Sequence, residues 1–229
     1  MHDKHIVIGL GEVGSALQKV IGCDGEDRFK GTFHEKQHFD FLHICIPYSE
    51  NFVDEVLAYQ DKYSPKYTII HSSVPIGTSR KCKALHSPIR GVHPNLDMGI
   101  LTFKKFIGGE KSYDVAQELK KFGIDCICTL KPENTEALKL LDTLQYGILI
   151  MLEKEIYKFC KEHSLDENIV YTLANETYNE GYLKMFRPEV VRPYLKHIDG
   201  KIGGHCVINN AKITDFWLAR MLLDKNEEY

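Results

Sequence analysis

Two stretches of this chain hold residue types whose spacing suits them to chemistry. The first is Ile202-Gly203-Gly204-His205-Cys206, a thiol placed after a glycine pair and just ahead of an apolar helical pattern that starts at Val207. A cysteine near a helix N-terminus is favoured as thiolate, the form that attacks carbonyl carbon, and His205 beside it is a candidate substrate contact. The second is His5-Ile6-Val7-Ile8-Gly9-Leu10-Gly11-Glu12-Val13-Gly14, an apolar strand pattern running into a G-x-G-x-x-G turn and then a helix. In such a turn Gly9 permits the tight bend, Gly11 lets a pyrophosphate approach the backbone, and Gly14 lets helix and strand pack closely. Glu12 and Val13 open the helix, whose free N–H groups favour phosphate.

A dinucleotide site of this kind also uses a carboxylate at the end of the second strand to accept hydrogen bonds from a ribose. The sequence places that strand at Arg28 to Phe33 and the carboxylate at Glu35. Arg28, Lys30 and Lys36 equally suit the extra phosphate of NADP, so NAD and NADP both remain open. Each of these residues also reads as a solvated polar residue on a sheet edge.

The elements that must position these groups alternate over the first 130 or so residues. Phe41 to Ile46 reads as a central parallel strand ended by Pro47, Asn51 to Tyr63 as a helix, and Thr68 to Ser72 as a further strand. Phe103 to Ile107 and Asp125 to Leu130 read as later strands, with a helix over Asp114 to Phe122 between them. This order predicts an α/β fold with an open, doubly wound parallel sheet of the Rossmann type, whose ligands collect beyond the carboxyl ends of the strands. Pro47, Ser72, Ser73 and Val74 fall there, which makes Pro47 and the two serines candidate cofactor contacts.

After Pro132-Glu133-Asn134 the pattern changes. Residues 135 to 162 contain almost no helix breaker, and Ala137, Leu141, Leu144, Ile148, Leu152, Ile156 and Phe159 recur at helical spacing. Further helices are expected from Glu167 or Ile169 to Met185, over Glu189 to Leu195, and from Asn210 to Leu223. The expected organisation is a nucleotide-binding domain over 1–131 and an all-helical domain over 132–229. The second is small for a free-standing core, and dimerisation through the long helix would remedy that.

Composition excludes several classes. A formal charge of −3 over 229 residues gives no general attraction to nucleic acid or anionic lipid. No 18-residue charge-free apolar run is present, so no membrane span is expected. Seven cysteines, several of them in apolar strand-like runs, with no signal peptide ahead of them, read as reduced thiols of a cytoplasmic protein. Ligand spacings of the usual zinc type are absent, and no metal is expected.

The chain resembles the nucleotide-sugar dehydrogenase superfamily, of the UDP-glucose and UDP-N-acetylmannosamine type, and more widely the 6-phosphogluconate and 3-hydroxyacid dehydrogenases. Four pieces carry the resemblance, in the order the family has them. They are the opening glycine turn, His71-Ser72-Ser73-Val74-Pro75-Ile76-Gly77-Thr78, Thr135-Glu136-Ala137-Leu138-Lys139-Leu140, and Ile202-Gly203-Gly204-His205-Cys206. The resemblance implies that Cys206 is the nucleophile and that Lys139 steadies negative charge on the substrate oxygen. Where the family has an asparagine four residues after the lysine and an aspartate four after the cysteine, this chain has Thr143 and Asn210. An asparagine cannot take up a proton as a carboxylate does, so a step that needs a base at Asn210 would be impaired. Family members also continue into a second Rossmann-like domain that holds the sugar nucleotide, whereas this chain ends at Tyr229, which argues for a different substrate.

The stretch Ser87-Pro88-Ile89-Arg90-Gly91-Val92-His93-Pro94-Asn95 falls where these families place substrate loops. Arg90 offers a rigid fork of donors for carboxylate or phosphate, Asn95 is a further candidate contact, and His93 suits a general base or donor near neutral pH. The bland alternatives are a buried, small apolar Cys206 and a solvent-facing Lys139 paired with Glu136. The functional expectation is an NAD(P)-dependent oxidoreductase acting on an alcohol group of a small carboxylated or phosphorylated substrate. A group-transfer enzyme using a cofactor such as S-adenosylmethionine, and a noncatalytic nucleotide-binding or assembly protein, are the alternatives.

Overall fold

The computed structural model describes residues 4–91, 94–204 and 206–229, and its chain divides into two compact units, one through Leu140 and one from Leu141 to Tyr229. In the first unit seven strands form one sheet in the order β2-β1-β3-β4-β5-β6-β7. They are β1 (His5–Ile8), β2 (Asp24–Glu26), β3 (Phe41–Ile44), β4 (Tyr67–Ile70), β5 (Leu85–His86), β6 (Lys105–Gly108) and β7 (Cys126–Thr129). All neighbours run parallel except β5 and β6, which pair antiparallel at His86 and Gly108.

Every residue of β1, β3 and β4 is buried, as strands covered on both faces must be. Helices α1 (Glu12–Ile21), α4 (Leu96–Thr102) and α5 (Ser112–Lys120) contribute Leu17, Ile100 and Leu119 to a core around Val7, Phe41 and Ile69. On the other face α2 (Phe52–Tyr63) packs Phe52, Val56 and Tyr63 on Ile6, Leu42, Ile44 and Ile70. The expected doubly wound α/β architecture is therefore present. A short helix α3 (Thr78–Lys81) follows β4, and α6 (Pro132–Glu162) is one continuous helix of 31 residues, about 46 Å at its rise per residue.

The second strand departs from expectation. It lies at Asp24–Glu26, ahead of the 28–33 segment, and Glu35 sits exposed in the connection to β3. The physical reason is a knot of polar bonds that the alternation of residues does not reveal. Glu26, almost fully buried, takes hydrogen bonds from Lys62 (2.9 Å), from the Tyr63 hydroxyl and from the His34 N–H, which ends the strand and folds the following loop back on it.

The second unit is helical, with a π-helical turn (Asn168–Leu173), α7 (Ala174–Lys184), α8 (Val207–Lys212) and α9 (Trp217–Asn226). Two expectations are corrected here. Only a 3-10 turn, Pro188–Val190, forms in the segment expected to be a helix over 189–195. The single helix expected from Asn210 to Leu223 is two, broken where the Thr214 hydroxyl donates back to the Asn210 carbonyl (2.6 Å) and Phe216 adopts an extended backbone. Leu144, Ile202, Val207, Ala219 and Leu222 form this unit's core. Among the described residues no helix is long and apolar enough to cross a membrane.

Candidate functional site

The glycine turn is built by backbone geometry. Gly9 has φ +86°, and a Cβ there would sit 2.9 Å from Ile46 Cγ2 and 3.0 Å from the Cys45 carbonyl carbon. Gly14 is tighter, since a Cβ would fall 1.8 Å from the Gly9 oxygen. Gly11 is different: it caps α1, is exposed, and a Cβ on it would meet nothing within 4 Å. Two glycines are thus required by the protein itself, and the third borders open space at a helix N-terminus, where phosphate is stabilised. Glu12 is exposed and Val13 half-buried at the start of the same helix.

The carboxylate beside this turn is Asp27, one residue past β2. Its Oδ2 accepts the Leu10 N–H (2.7 Å), and Oδ1 accepts those of Phe29 (2.8 Å) and Lys30 (3.1 Å). Burial works to raise the Asp27 carboxyl, but these donors outweigh it and hold the group below its ordinary range. Lys30 Nζ lies on the Leu10 carbonyl oxygen at 2.5 Å, so a cation and a carboxylate both flank the turn. The strand-end carboxylate expected at Glu35 is in this position Asp27.

At the carboxyl ends of β3 and β4, Pro47 is exposed, and Ser72 and Ser73 are half-buried. The Ser72 hydroxyl donates to the Ile46 carbonyl (2.5 Å), joining the two strand ends. Fully buried His86 bridges the Ser72 carbonyl (3.1 Å) and the Thr135 hydroxyl (2.9 Å) of α6, and burial lowers its imidazole to about 4. Glu136, also fully buried, accepts the N–H groups of Gly77 (2.6 Å) and Ser79 (2.7 Å), so its oxygens serve the turn before α3. Lys139, three residues on, donates to the Ile89 carbonyl (3.0 Å), which places its amine against the loop that bears Arg90. Arg90 lies over the Phe103 ring (5.7 Å) and lines a small concavity with Pro88, Ile89, Lys104 and Lys105. Asn95 is exposed at the start of α4. His93 and His205 lie outside the described residues.

Lys105 was not foreseen. Its side chain is buried, and Nζ donates to the carbonyls of Ser87 (2.9 Å) and Pro88 (3.2 Å), with burial pulling the amine down to about 7. A lysine opening an apolar run reads as an edge residue, and only the paired strand and loop reveal its acceptors.

In the second unit Cys206 is exposed at the start of α8, which removes the alternative of a buried apolar cysteine. Its carbonyl accepts the Asn210 N–H (3.0 Å), and Asn210 Nδ2, buried, donates to the Thr143 hydroxyl (3.0 Å) on α6. The two residues that depart from the family pattern are thus partners of each other. Close approach of α8 depends on Gly147, where a Cβ would stand 2.6 Å from Val207 Cγ1. The segment leading to Cys206 is held by side chains. Lys154 Nζ donates to the carbonyls of Ile198 and Gly200, His197 pairs with Glu153 (2.9 Å) and stacks on Tyr157, and Asn226 Oδ1 accepts the Ile202 N–H (2.5 Å).

The seven cysteines are all free, and their environments differ widely. Burial drives the thiols of Cys23 and Cys45 up to about 12 and those of Cys82 and Cys126 to about 11, whereas Cys128 and Cys206 are exposed. Among the described residues no group of three or more His, Cys, Asp or Glu side chains is arranged to hold a metal ion.

No family model and no curated protein matches the sequence. Solved structures do match the fold. UDP-D-ManNAc dehydrogenase from Pyrococcus horikoshii superposes with a TM-score of 0.73 at 15% identity, over 98% of this chain and 68% of that one. The 3-hydroxyisobutyrate dehydrogenase of Mycobacterium tuberculosis gives 0.70 at 12% identity, over 100% and 94%. The UDP-N-acetyl-mannosamine dehydrogenase Cap5O of Staphylococcus aureus gives 0.69 at 14% identity, over 99% and 68%. The chain has the fold common to the UDP-sugar and 3-hydroxyacid dehydrogenases, a Rossmann-type unit followed by a helical one.

Proposed function

We propose that the chain is an NAD(P)-dependent oxidoreductase that acts on an alcohol group of a small carboxylated or phosphorylated substrate, sugar-derived or otherwise. One observation carries this reading. Of the three glycines in the turn, Gly9 and Gly14 are crowded by protein and Gly11 alone borders open space, the arrangement a pyrophosphate needs. When bound, the nicotinamide group supplies the hydride acceptor or donor. The residues present fit the rest of the cofactor: Glu12 and Val13 form the first turn of α1, where a helix favours phosphate, and Asp27 retains acceptor capacity on Oδ2 for a ribose hydroxyl. Arg28 and Lys30 beside Asp27 suit the additional phosphate of NADP.

In this reading Lys139 steadies negative charge on the substrate oxygen, Arg90 takes the substrate's anionic group with Asn95 nearby, and His93 or Lys139 moves the hydroxyl proton. Cys206 is the thiol available to trap an aldehyde product as a thiohemiacetal. The nucleotide-binding domain spans 1–131 and the helical domain 132–229. The protein works in the cytoplasm as a homodimer through α6, on which Leu141, Tyr146, Leu152 and Phe159 are exposed, with no membrane or nucleic-acid partner.

A second reading has one observation in its favour. Asn210 is an amide tied to Thr143 and cannot serve as a base, which suits a group-transfer enzyme using a cofactor such as S-adenosylmethionine, or a noncatalytic nucleotide-binding protein. Calorimetry of NAD, NADH, NADP, NADPH and S-adenosylmethionine against the wild-type chain and Gly11→Trp separates them. Binding of one nicotinamide form, lost on the substitution, supports the oxidoreductase; binding of S-adenosylmethionine alone, or of nothing, supports the second reading.

A further inference from the structure

Three buried histidines lie on one diagonal of the sheet. His5 opens β1, His43 is the third residue of β3 and His71 follows β4; Val7 pairs with His43, and His43 with Ile69. Each step moves one strand across and two residues along, and alternate residues of a strand share a face, so the three rings line up on one side of the sheet. They touch in sequence. His5 Nδ1 is 3.1 Å from His43 Nε2, His43 Nδ1 is 2.9 Å from His71 Nε2, and His71 Nδ1 is 2.6 Å from the Ser87 carbonyl oxygen. At the other end His5 Nε2 faces Glu118 Oε1 of α5 at 3.4 Å, and Lys121 holds the second oxygen of Glu118.

The carbonyl fixes the direction of this row. Ser87 oxygen can only accept, so His71 carries its hydrogen on Nδ1. A neutral ring has one donor and one acceptor nitrogen, so His71 Nε2 accepts from His43 Nδ1, and His43 Nε2 accepts from His5 Nδ1. Three neutral rings supply three hydrogens, and the row has four links. Without a fourth hydrogen a nitrogen lone pair would face a carboxylate oxygen at the Glu118 end. Burial, with the charges of Lys105 and neighbouring rings, keeps His43 and His71 well below the usual imidazole range, so the fourth hydrogen does not belong to them. Lys121 already serves Glu118 Oε2, and Oε1 faces His5 Nε2, so the fourth hydrogen lies in the His5–Glu118 link. Lys105, which shares the Ser87 oxygen, and His86 also act on the row, and Cys45 and Cys126 act on Lys105.

We propose that the row is a one-direction, one-proton device: with an acceptor at each end, a proton held between His5 and Glu118 lets His71 keep its hydrogen on the Ser87 carbonyl, and loss of that proton while Glu118 still faces His5 is felt at the Ser87–Arg90 loop. Ile89 of that loop bears the Lys139 amine, so a role in the reaction rests on the function proposed above; the row itself does not.

Nitrogen-resolved NMR of the histidine rings in the full chain tests this. In the wild type His43 and His71 are expected to carry hydrogen on Nδ1 alone and His5 on both nitrogens. In Glu118→Gln the amide N–H supplies the fourth hydrogen, so His5 becomes singly protonated while the His71 ring and the Ile89 and Arg90 amides keep their wild-type signals. In Glu118→Leu the fourth link is gone and three hydrogens serve the three that remain, so His5 is again singly protonated and those three signals stay. Hydrogen on Nε2 of His43 or His71 in the wild type, or a His5 still protonated on both nitrogens in Glu118→Leu, overturns the proposal. Raising the pH on the wild type removes the same proton while Glu118 still faces His5, the condition that the leucine variant lacks. With the Lys105 amine followed separately, the Ile89 and Arg90 signals are then expected to move with the midpoint of His5, and a different midpoint overturns the coupling. Cofactor calorimetry on the same samples keeps the two claims apart, since absent nicotinamide binding removes the function and leaves the ring tautomers as measured.

Discussion

The glycine turn and the Cys206 segment are both loops leading into a helix, yet they are held in different ways. At the turn the main chain does the positioning, through the φ of Gly9 and the contact between Gly14 and the Gly9 oxygen. At Cys206 the main chain is held by side chains distant in sequence, Lys154 and Asn226 above all. A site built from backbone fails when a methyl group is added, whereas a site held by side chains fails when a donor or acceptor is removed.

The sharpest break is Gly14→Ala. A methyl group 1.8 Å from a carbonyl oxygen forces helix and strand apart, and a loss of about 3 kcal/mol or more is expected in chemical denaturation. Gly11→Ala is the control, with unchanged stability and weakened nicotinamide binding.

Acid should also act on the first region ahead of the second. His86 is lowered from 6.5 to about 4 in the folded chain. Between those values the unfolded chain binds the proton and the folded chain does not, so stability falls as pH drops from 6.5 to 4, by about 3 kcal/mol from this group. Urea midpoints at pH 7 and pH 4.5 are expected to differ less in His86→Asn than in the wild type.

Asn226→Leu removes the acceptor for the buried Ile202 N–H, at an expected cost of about 2 kcal/mol, and frees the segment before Cys206. Faster alkylation of Cys206 with cofactor binding unchanged would show that the clamp serves the thiol alone; unchanged alkylation would show that Lys154 suffices. The smallest effect is expected from Thr143→Val, about 1 kcal/mol for the lost partner of Asn210, read as a shift in thermal midpoint.

This difference also explains what the sequence discloses. The turn, the central strands and α6 are legible because glycine spacing and apolar runs are local signals. Asp27 was hidden because β2 ends through Glu26, Lys62 and Tyr63, residues far apart in the chain. The break between α8 and α9 comes from a single hydroxyl, Thr214, bonding back along the chain. Lys105 and the three histidines sit in apolar runs, where their types look like exceptions; only strand register brings their nitrogens together.

The graded burial of the thiols makes the molecule its own stopwatch. An alkylating reagent meets Cys206 and Cys128 at once, whereas the buried Cys82 becomes reactive only when the first unit opens. Mass spectrometry of timed samples would then record breathing of the first unit and of the Cys206 segment in a single tube.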